Sequence, residues 1–219
     1  MGFRLRDVEI TWLGHDGFRI TRGNFVVYID PYQITGGPAG DLVLISHDHF
    51  DHLSLDDLRK IVSNKTTIVA ARNCQKQLGG IKVAAVKYVS PGDEVSVGEA
   101  KVKAVHAYNV NKFREPGKVF HPKEYGGVGF VLTLGDVSIY HAGDTDFIPE
   151  MKGLRVDVAL LPVSGTYVMT AAEAAEAAKS MQAKTVIPMH YGAIVGSEQD
   201  AHEFKRLYGG ETVILSKES

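Results

Sequence analysis

Cysteine is almost missing from this chain, with Cys74 the only one in 219 residues. One thiol cannot close an internal bridge, so a disulfide scaffold and a multi-cysteine zinc ribbon are both excluded. No apolar run approaches the roughly 18 residues that span a bilayer. Charge of one sign is not in excess either. Lys plus Arg number 24 against 26 Asp plus Glu, which leaves no broad basic footprint for a nucleic acid. Linkers, low-complexity tracts and short-period repeats are absent. The N-terminal MGFRLRDVEI has no signal-peptide apolar core, and Arg6 stands where a myristoylation signal needs Ser or Thr. The expectation is a cytoplasmic protein that does not enter a membrane. What is present is an ordinary globular mix, 44% hydrophobic and 23% charged, enough to bury the core of one domain over residues 1–219 without staples. Nine histidines stand out from that mix.

Hydrophobic patterning alternates short strands with turns. Val8 to Leu13, Phe18 to Thr21 and Phe25 to Ile29 read as strands, and the continuous apolar run Leu42 to Ile45 reads as a strand buried on both faces. Ser54 caps a helix with Asp57 at its third position. Further strands are expected at Thr67 to Ala70, Val86 to Val89 and Lys101 to Val105, with a short helix at Asn73 to Leu78. In the second half the expected strands are Gly129 to Leu134, Val137 to Tyr140, Val156 to Leu161, Thr185 to Ile187 and Thr212 to Leu215. Helices run from the Thr170/Glu173 capping box to about Met181, and from Gln199 to Leu207. Strand runs followed by helices, twice over, point to an α+β chain with two packed sheets and helices outside. Residues 107–127 fit neither period, and a loop that long inside a compact domain is usually functional or mobile.

The strongest chemical signal is His47-Asp48-His49-Phe50-Asp51-His52. Chance yields an H-x-H-x-D-H string in such a chain on the order of one time in a thousand. Imidazole and carboxylate donors suit Zn, Mn, Fe or Ni. The string follows the buried strand Leu42 to Ile45, at a carboxyl end where open sheets place their sites. On a loop, His47 and His49 can face one point while Asp51 and His52 turn toward another, so two adjacent metals are expected. Two metals need more donors, and four other strand ends carry one each: Asp30, His106, Asp144 and His190. Taken singly, Asp30 before Pro31 and Asp144 after Gly143 also read as plain turn residues.

The order Asp30, His47-x-His49-x-Asp51-His52, His106, Asp144, His190 resembles the five motifs of the metallo-β-lactamase superfamily. The strings Thr11-Trp12-Leu13-Gly14-His15, Ile139-Tyr140-His141-Ala142-Gly143-Asp144-Thr145 and Ile187-Pro188-Met189-His190-Tyr191-Gly192 resemble its small prokaryotic metal-dependent hydrolases, related to the ascorbate-6-phosphate lactonase group. The resemblance implies a four-layer αββα sandwich with a dinuclear site at one edge. It implies His47, His49 and His106 on one metal, Asp51, His52 and His190 on the other, Asp144 bridging, and Asp30 orienting the histidine loop. It also separates the chain from two branches. Antibiotic-hydrolysing members commonly carry Cys where Asp144 stands, and di-iron flavoprotein members carry Glu in place of His49.

The expected activity is a metal-dependent hydrolase. Two divalent cations, Zn2+ first and Mn2+, Fe2+ or Ni2+ as alternatives, generate hydroxide that attacks an ester, lactone or phosphodiester bond, with Asp51 and Asp144 as the catalytic carboxylates. Two other readings are a phosphodiesterase or nuclease acting on nucleotides or lipids, and a non-catalytic metal-binding ligand sensor. His15, His121 and Tyr191 are candidate proton donors or substrate contacts, His141 packs against the Asp144 loop, and His202 faces solvent. Residues 107–127 form a candidate lid. Lys112, Arg114, Lys118, His121 and Lys123 outnumber Glu115 and Glu124 there, which favours a small anionic substrate. The partner is a small molecule, and a homo-oligomer is compatible with the sequence.

Overall fold

Alternating apolar residues build two sheets, and continuous apolar runs form the strands at their centres. The structure is a computed structural model that describes residues 2–218. The first sheet contains β1 (Phe3–Leu5), β2 (Val8–Gly14), β3 (Gly17–Arg22), β4 (Phe25–Ile29), β5 (Leu42–Ile45), β6 (Thr67–Ala71) and β7 (Ala85–Val89), in that spatial order. It begins as an antiparallel meander and becomes parallel from β4 to β7. Helices α1 (Leu55–Ile61) and α2 (Gln75–Leu78) make the crossovers between its parallel strands. The Ser54 hydroxyl accepts the Asp57 N–H and starts α1 as the sequence predicts.

The second sheet contains β8 (Glu94–Val97), β9 (Ala100–His106), β12 (Val128–Leu134), β13 (Val137–His141), β14 (Arg155–Pro162) and β15 (Gln182–Met189). Its spatial order is β15-β14-β13-β12-β9-β8, parallel from β13 to β15 and antiparallel elsewhere. Between β9 and β12 lies a separate hairpin, β10 (Phe113–Glu115) with β11 (Lys118–Val119). Helix α3 (Ala171–Ser180) opens with both arms of the Thr170/Glu173 capping box. Its buried face is entirely alanine, which lets the helix lie close to its neighbours. Helix α4 (Glu198–Tyr208) packs beside it and buries Ala201 and Phe204. Both sheets feed one continuous apolar core, as the expected αββα sandwich requires. No helix among the described residues is long and apolar enough to cross a membrane.

Two expectations are corrected. Residues 107–127 are not wholly irregular, because they contain the β10–β11 hairpin. The last expected strand, Thr212 to Leu215, makes only one bridge, between Thr212 and Val186. Beyond it the chain crosses to the first sheet, where the Glu218 N–H donates to the Trp12 carbonyl at 2.9 Å and Arg19 pairs with the Glu218 carboxylate.

Gly129 ties the second sheet to the loop after β13. A Cβ there would lie 2.8 Å from the His141 carbonyl oxygen and 2.9 Å from that of Ala142. Gly129→Ala is therefore expected to cost about 1–3 kcal/mol through forced backbone shifts. A denaturant midpoint equal to that of the parent chain would contradict this packing.

Candidate metal centre

The parallel strands of both sheets end at one edge, and their carboxyl-terminal loops supply the polar residues buried there. Asp30 follows β4, Ser46 to His52 follow β5, Asp144 follows β13, Ser164 follows β14 and His190 follows β15. His15 and Asp16 form the turn between β2 and β3. Three of these residues hold positive φ without being glycine: His15 (52°), Asp30 (42°) and His190 (61°). Such conformations cost roughly 1–3 kcal/mol each and persist where surrounding structure enforces them, often at functional sites.

Two groups of donor atoms result. The first is His47, His49, His121 and Asp144, and the second is His15, Asp16, His52 and His190; within each, the donor atoms all lie within 4.8 Å of one another. In the first, His49 Nδ1 is 3.1 Å from His47 Nε2 and 3.3 Å from His121 Nε2. Asp144 Oδ2 lies 3.4 Å from His121 Nε2 and 3.8 Å from His47 Nε2. The other oxygen of the same carboxylate, Oδ1, is 3.3 Å from His52 Nε2 and 3.4 Å from His190 Nε2. Asp16 Oδ2 completes the second group at 3.5 Å from His52 Nε2 and 3.8 Å from His190 Nε2. One carboxylate thus faces both groups.

Each ring is aimed by a bond on its far side. The Ser46 hydroxyl donates to Asp30 and accepts from His47 Nδ1 at 2.9 Å, while His52 Nδ1 donates to Asp30 Oδ2 at 2.8 Å. Asn109 Oδ1 accepts from His121 Nδ1 at 2.9 Å, and the Ser164 hydroxyl accepts from His190 Nδ1 at 2.9 Å. With these protons on Nδ1, the Nε2 atoms of all four rings point into the site, an arrangement typical of metal-binding imidazoles. His141 Nε2 donates to the Asp16 carbonyl and its Nδ1 accepts from the Gly143 N–H, so it braces both the Asp16 turn and the Asp144 loop.

Burial sharpens the electrostatics. It drives the His47 imidazole well below its usual pKa, helped by the neighbouring His52, and it also lowers His121. Burial opposes charge on His190 and His52 as well, yet the carboxylate of Asp144, with Asp16 beside His190 and Asp30 beside His52, overrides it. His190 rises to about 9 and His52 lies well above its ordinary value. Burial pushes Asp16 upward, whereas for Asp144 the His52 and His190 charges outweigh burial and hold the carboxyl far below its usual range. Both Asp16 oxygens, Asp144 Oδ1, His52 Nε2 and His190 Nε2 are buried without a hydrogen-bond partner in the protein. Such groups are expensive to bury unpaired. Carboxylate oxygens and imidazole nitrogens converging in this way fit divalent cations.

Of the residues expected at the site, the structure gathers His47, His49, His52, Asp144 and His190, and it sets Asp30 behind them. It does not bring in His106, which ends β9 opposite Val128 with its ring edge-on to Tyr108. His121, from the segment where the sequence shows no period, takes that place, because Asn109 folds it back into the site. Asp51 stands at the margin of the second group, 3.7 Å from His52 Nε2, and accepts from His15 Nε2 at 2.9 Å. Burial raises the Asp51 carboxyl, but the His15 bond and the nearby His52 and His15 charges together outweigh it and leave the net shift downward. Asp16, Ser46, Asn109 and Ser164 escape a sequence reading based on strand-end donors. The one available signal is the polar pair His15-Asp16 set between Gly14 and Gly17. Tyr191 stacks on Trp12 at 4.8 Å between ring centroids, and His202 is exposed on α4.

The segment 107–127 is tied down rather than free. Asp146 Oδ2 accepts the N–H groups of Val110 and Asn111, and Lys112 pairs with Glu173 at 2.7 Å. Lys118 pairs with Glu115 and Lys123 with Glu150. Among the described residues only Arg114, of the segment's Lys and Arg side chains, lacks a carboxylate partner.

Two outcomes are expected. His121→Ala lowers the bound metal measured by elemental analysis, while His106→Ala leaves it unchanged; the reverse result would restore His106 to the site. Metal must displace protons from His52 and His190, both raised, but not from His47 and His121, both lowered. As pH falls from 9 to 7, one class of site should therefore weaken by roughly tenfold per pH unit for each proton displaced, and the other should change little. Equal pH slopes for both classes in a competitive chelator titration would contradict these protonation states.

Comparison with known proteins agrees with this fold. The family model described as the β-lactamase superfamily domain matches residues 9–190. A UPF0173 metal-dependent hydrolase of Methanoculleus marisnigri is 37% identical over 207 residues, covering 91% of this chain and 88% of that protein. Another from Methanopyrus kandleri is 33% identical over 214 residues, covering 91% and 90%. A solved structure from Parabacteroides distasonis superposes with a TM-score of 0.84 at 32% identity, covering 99% of this chain and 98% of that one. A metallo hydrolase from Ignicoccus hospitalis shares the fold, with a TM-score of 0.77 at 21% identity, covering 97% and 96%. With its two His/Asp groups at the sheet edge, the chain belongs to the β-lactamase superfamily domain family, among the metal-dependent hydrolases of the metallo-β-lactamase superfamily.

Proposed function

We propose that this chain hydrolyses an ester, lactone or phosphodiester bond of a small anionic substrate at a dinuclear centre. The observation that carries the reading is the Asp144 carboxylate, with Oδ2 toward the first donor group and Oδ1 toward the second. His47, His49 and His121 would hold one cation, and His52, His190 and Asp16 the other, with Asp51 at the margin. Zn2+ suits these donors best, and Mn2+, Fe2+ or Ni2+ are compatible. Such cations, when bound, polarise a carbonyl or phosphoryl oxygen and lower the pKa of water.

The chain's own residues supply the rest. Asp51 is partly open to solvent while its partner His15 is buried. Asp51 Oδ2 is placed to accept a proton from the attacking water, and the His15 Nε2–H steadies the carboxylate in that position. His121 is engaged among the donors, and burial keeps the Tyr191 hydroxyl protonated. Arg114 offers a fixed positive charge to an anionic group. The motif strings around Trp12, Asp144 and His190 favour the lactonase-like branch, hence a lactone or carboxyl ester ahead of a phosphodiester.

Asp144→Ala should remove metal and turnover together, by more than the roughly 10–100-fold typical of losing a hydrogen-bonded partner of a ligand. Retained activity would refute the shared carboxylate. A panel of lactones, carboxyl esters and bis-p-nitrophenyl phosphate, tested on protein of measured metal content, decides the bond. Turnover of the phosphate alone would establish the diesterase reading. Metabolite binding with no turnover of any member would establish the sensor.

A further inference from the structure

The large hydrophobic side chains exposed among the described residues are Phe50, Val110, Phe113, Tyr167 and Ile194. All five sit on segments that carry or adjoin the donor residues and their supports. Phe50 lies between His49 and Asp51 and is 66% exposed. Val110 follows Asn109, whose side chain holds His121 and donates to the Tyr167 carbonyl. Phe113 is on the hairpin that precedes His121, and Ile194 lies in the loop beyond His190. Elsewhere the surface is polar: the outer faces of the helices carry Arg59, Glu176, Lys179, His202 and Arg206. Random surface hydrophobics would be scattered singly; here each lies in a segment that carries or adjoins a donor residue or its support, and Tyr167 touches Phe120 of the adjacent cavity.

A cavity of about 410 Å3 opens beside this rim, lined by His49, Arg114, Val119, Phe120, Pro122 and Tyr125. Phe120 packs edge-on against Tyr167 at 4.7 Å, and the Tyr125 ring lies 5.6 Å from that of His49. Tyr125 donates its hydroxyl proton to Asp48, so it presents its ring rather than a free hydroxyl. The volume falls within the range of small-molecule pockets. Its lining is apolar apart from His49 at one end and the cations Arg114 and Lys118, and the Lys118 ammonium is already paired with Glu115.

We infer that the substrate carries an apolar body, of aryl or short alkyl size, that lies in this cavity and under the aromatic rim while the reacting bond meets the donor groups beyond His49. The inference deepens the hydrolase reading and depends on it only for where the reacting bond sits. It commits the substrate to an amphipathic small molecule rather than a sugar phosphate or a free nucleotide.

The test uses probes that bind without being cleaved. Methylphosphonate, phenylphosphonate and hexylphosphonate are titrated by calorimetry into the full-length protein, metal-loaded and metal-free. The metal-loaded protein should bind the phenyl and hexyl compounds at least about tenfold more tightly than the methyl compound, since each buried carbon adds affinity. Phe113→Ser and Tyr167→Ser, both at exposed positions, should each reduce that preference to about threefold or less and leave methylphosphonate binding unchanged. Equal affinity across the series would overturn the inference. So would a dimer seen by light scattering that Phe113→Ser dissolves while the preference is absent, because the rim would then be an interface between copies. Ester hydrolysis without an apolar preference defeats this inference alone. A preference without hydrolysis of any substrate leaves it standing and defeats the hydrolase reading instead.

Discussion

The site depends on one electrostatic constraint: several carboxylates and imidazoles are buried together, and their charges must be balanced in place. A lone carboxylate in an apolar interior would shed its charge. Asp144 keeps its charge because His52 and His190 stand beside its Oδ1, while the neutral rings of His47 and His121 lie on its Oδ2 side. The same carboxylate raises His52 and His190, so in the metal-free chain protons occupy the positions that cations would take. A divalent cation would therefore compete with protons for one electrostatic niche, and the niche belongs to the fold rather than to any single loop.

The fold provides that niche by ending its parallel strands at a common edge. Strands β4 to β7 in one sheet and β13 to β15 in the other share this polarity. Their apolar bodies fix the edge, and the loops beyond it are free to carry polar residues. Precision then comes from behind the donors. Asp30 and Ser46 set His47 and His52, Asn109 sets His121, and Ser164 sets His190. The strained φ values at His15, Asp30 and His190 belong to the same scheme, since each turns a strand end sharply into the site.

Much of this was legible in the sequence because the relevant signals are local. Apolar alternation located both sheets, Ser54 and Thr170 announced their helices, and the His47 to His52 string marked the loop. The expectation failed where placement depends on contacts distant in sequence. His106 ends a strand that points the same way as β13 to β15, which made it the natural donor, but its ring lies edge-on to Tyr108 and outside both donor groups. His121 lies in a segment without periodicity, and only the bond to Asn109, twelve residues earlier, turns it inward. Asp16 lacks any motif of its own. Its role follows from the β2–β3 turn meeting His52 and His190 across the sandwich, a tertiary fact that spacing does not encode.

The central claim is that two cations share Asp144, with His121 rather than His106 completing the first donor set. Anomalous diffraction from crystals grown with manganese or zinc tests it most directly. The account predicts two peaks roughly 3.5–4 Å apart, as in other two-metal sites, on either side of the Asp144 carboxylate, with one in contact with His121. A single peak, or a peak held by His106, would contradict it.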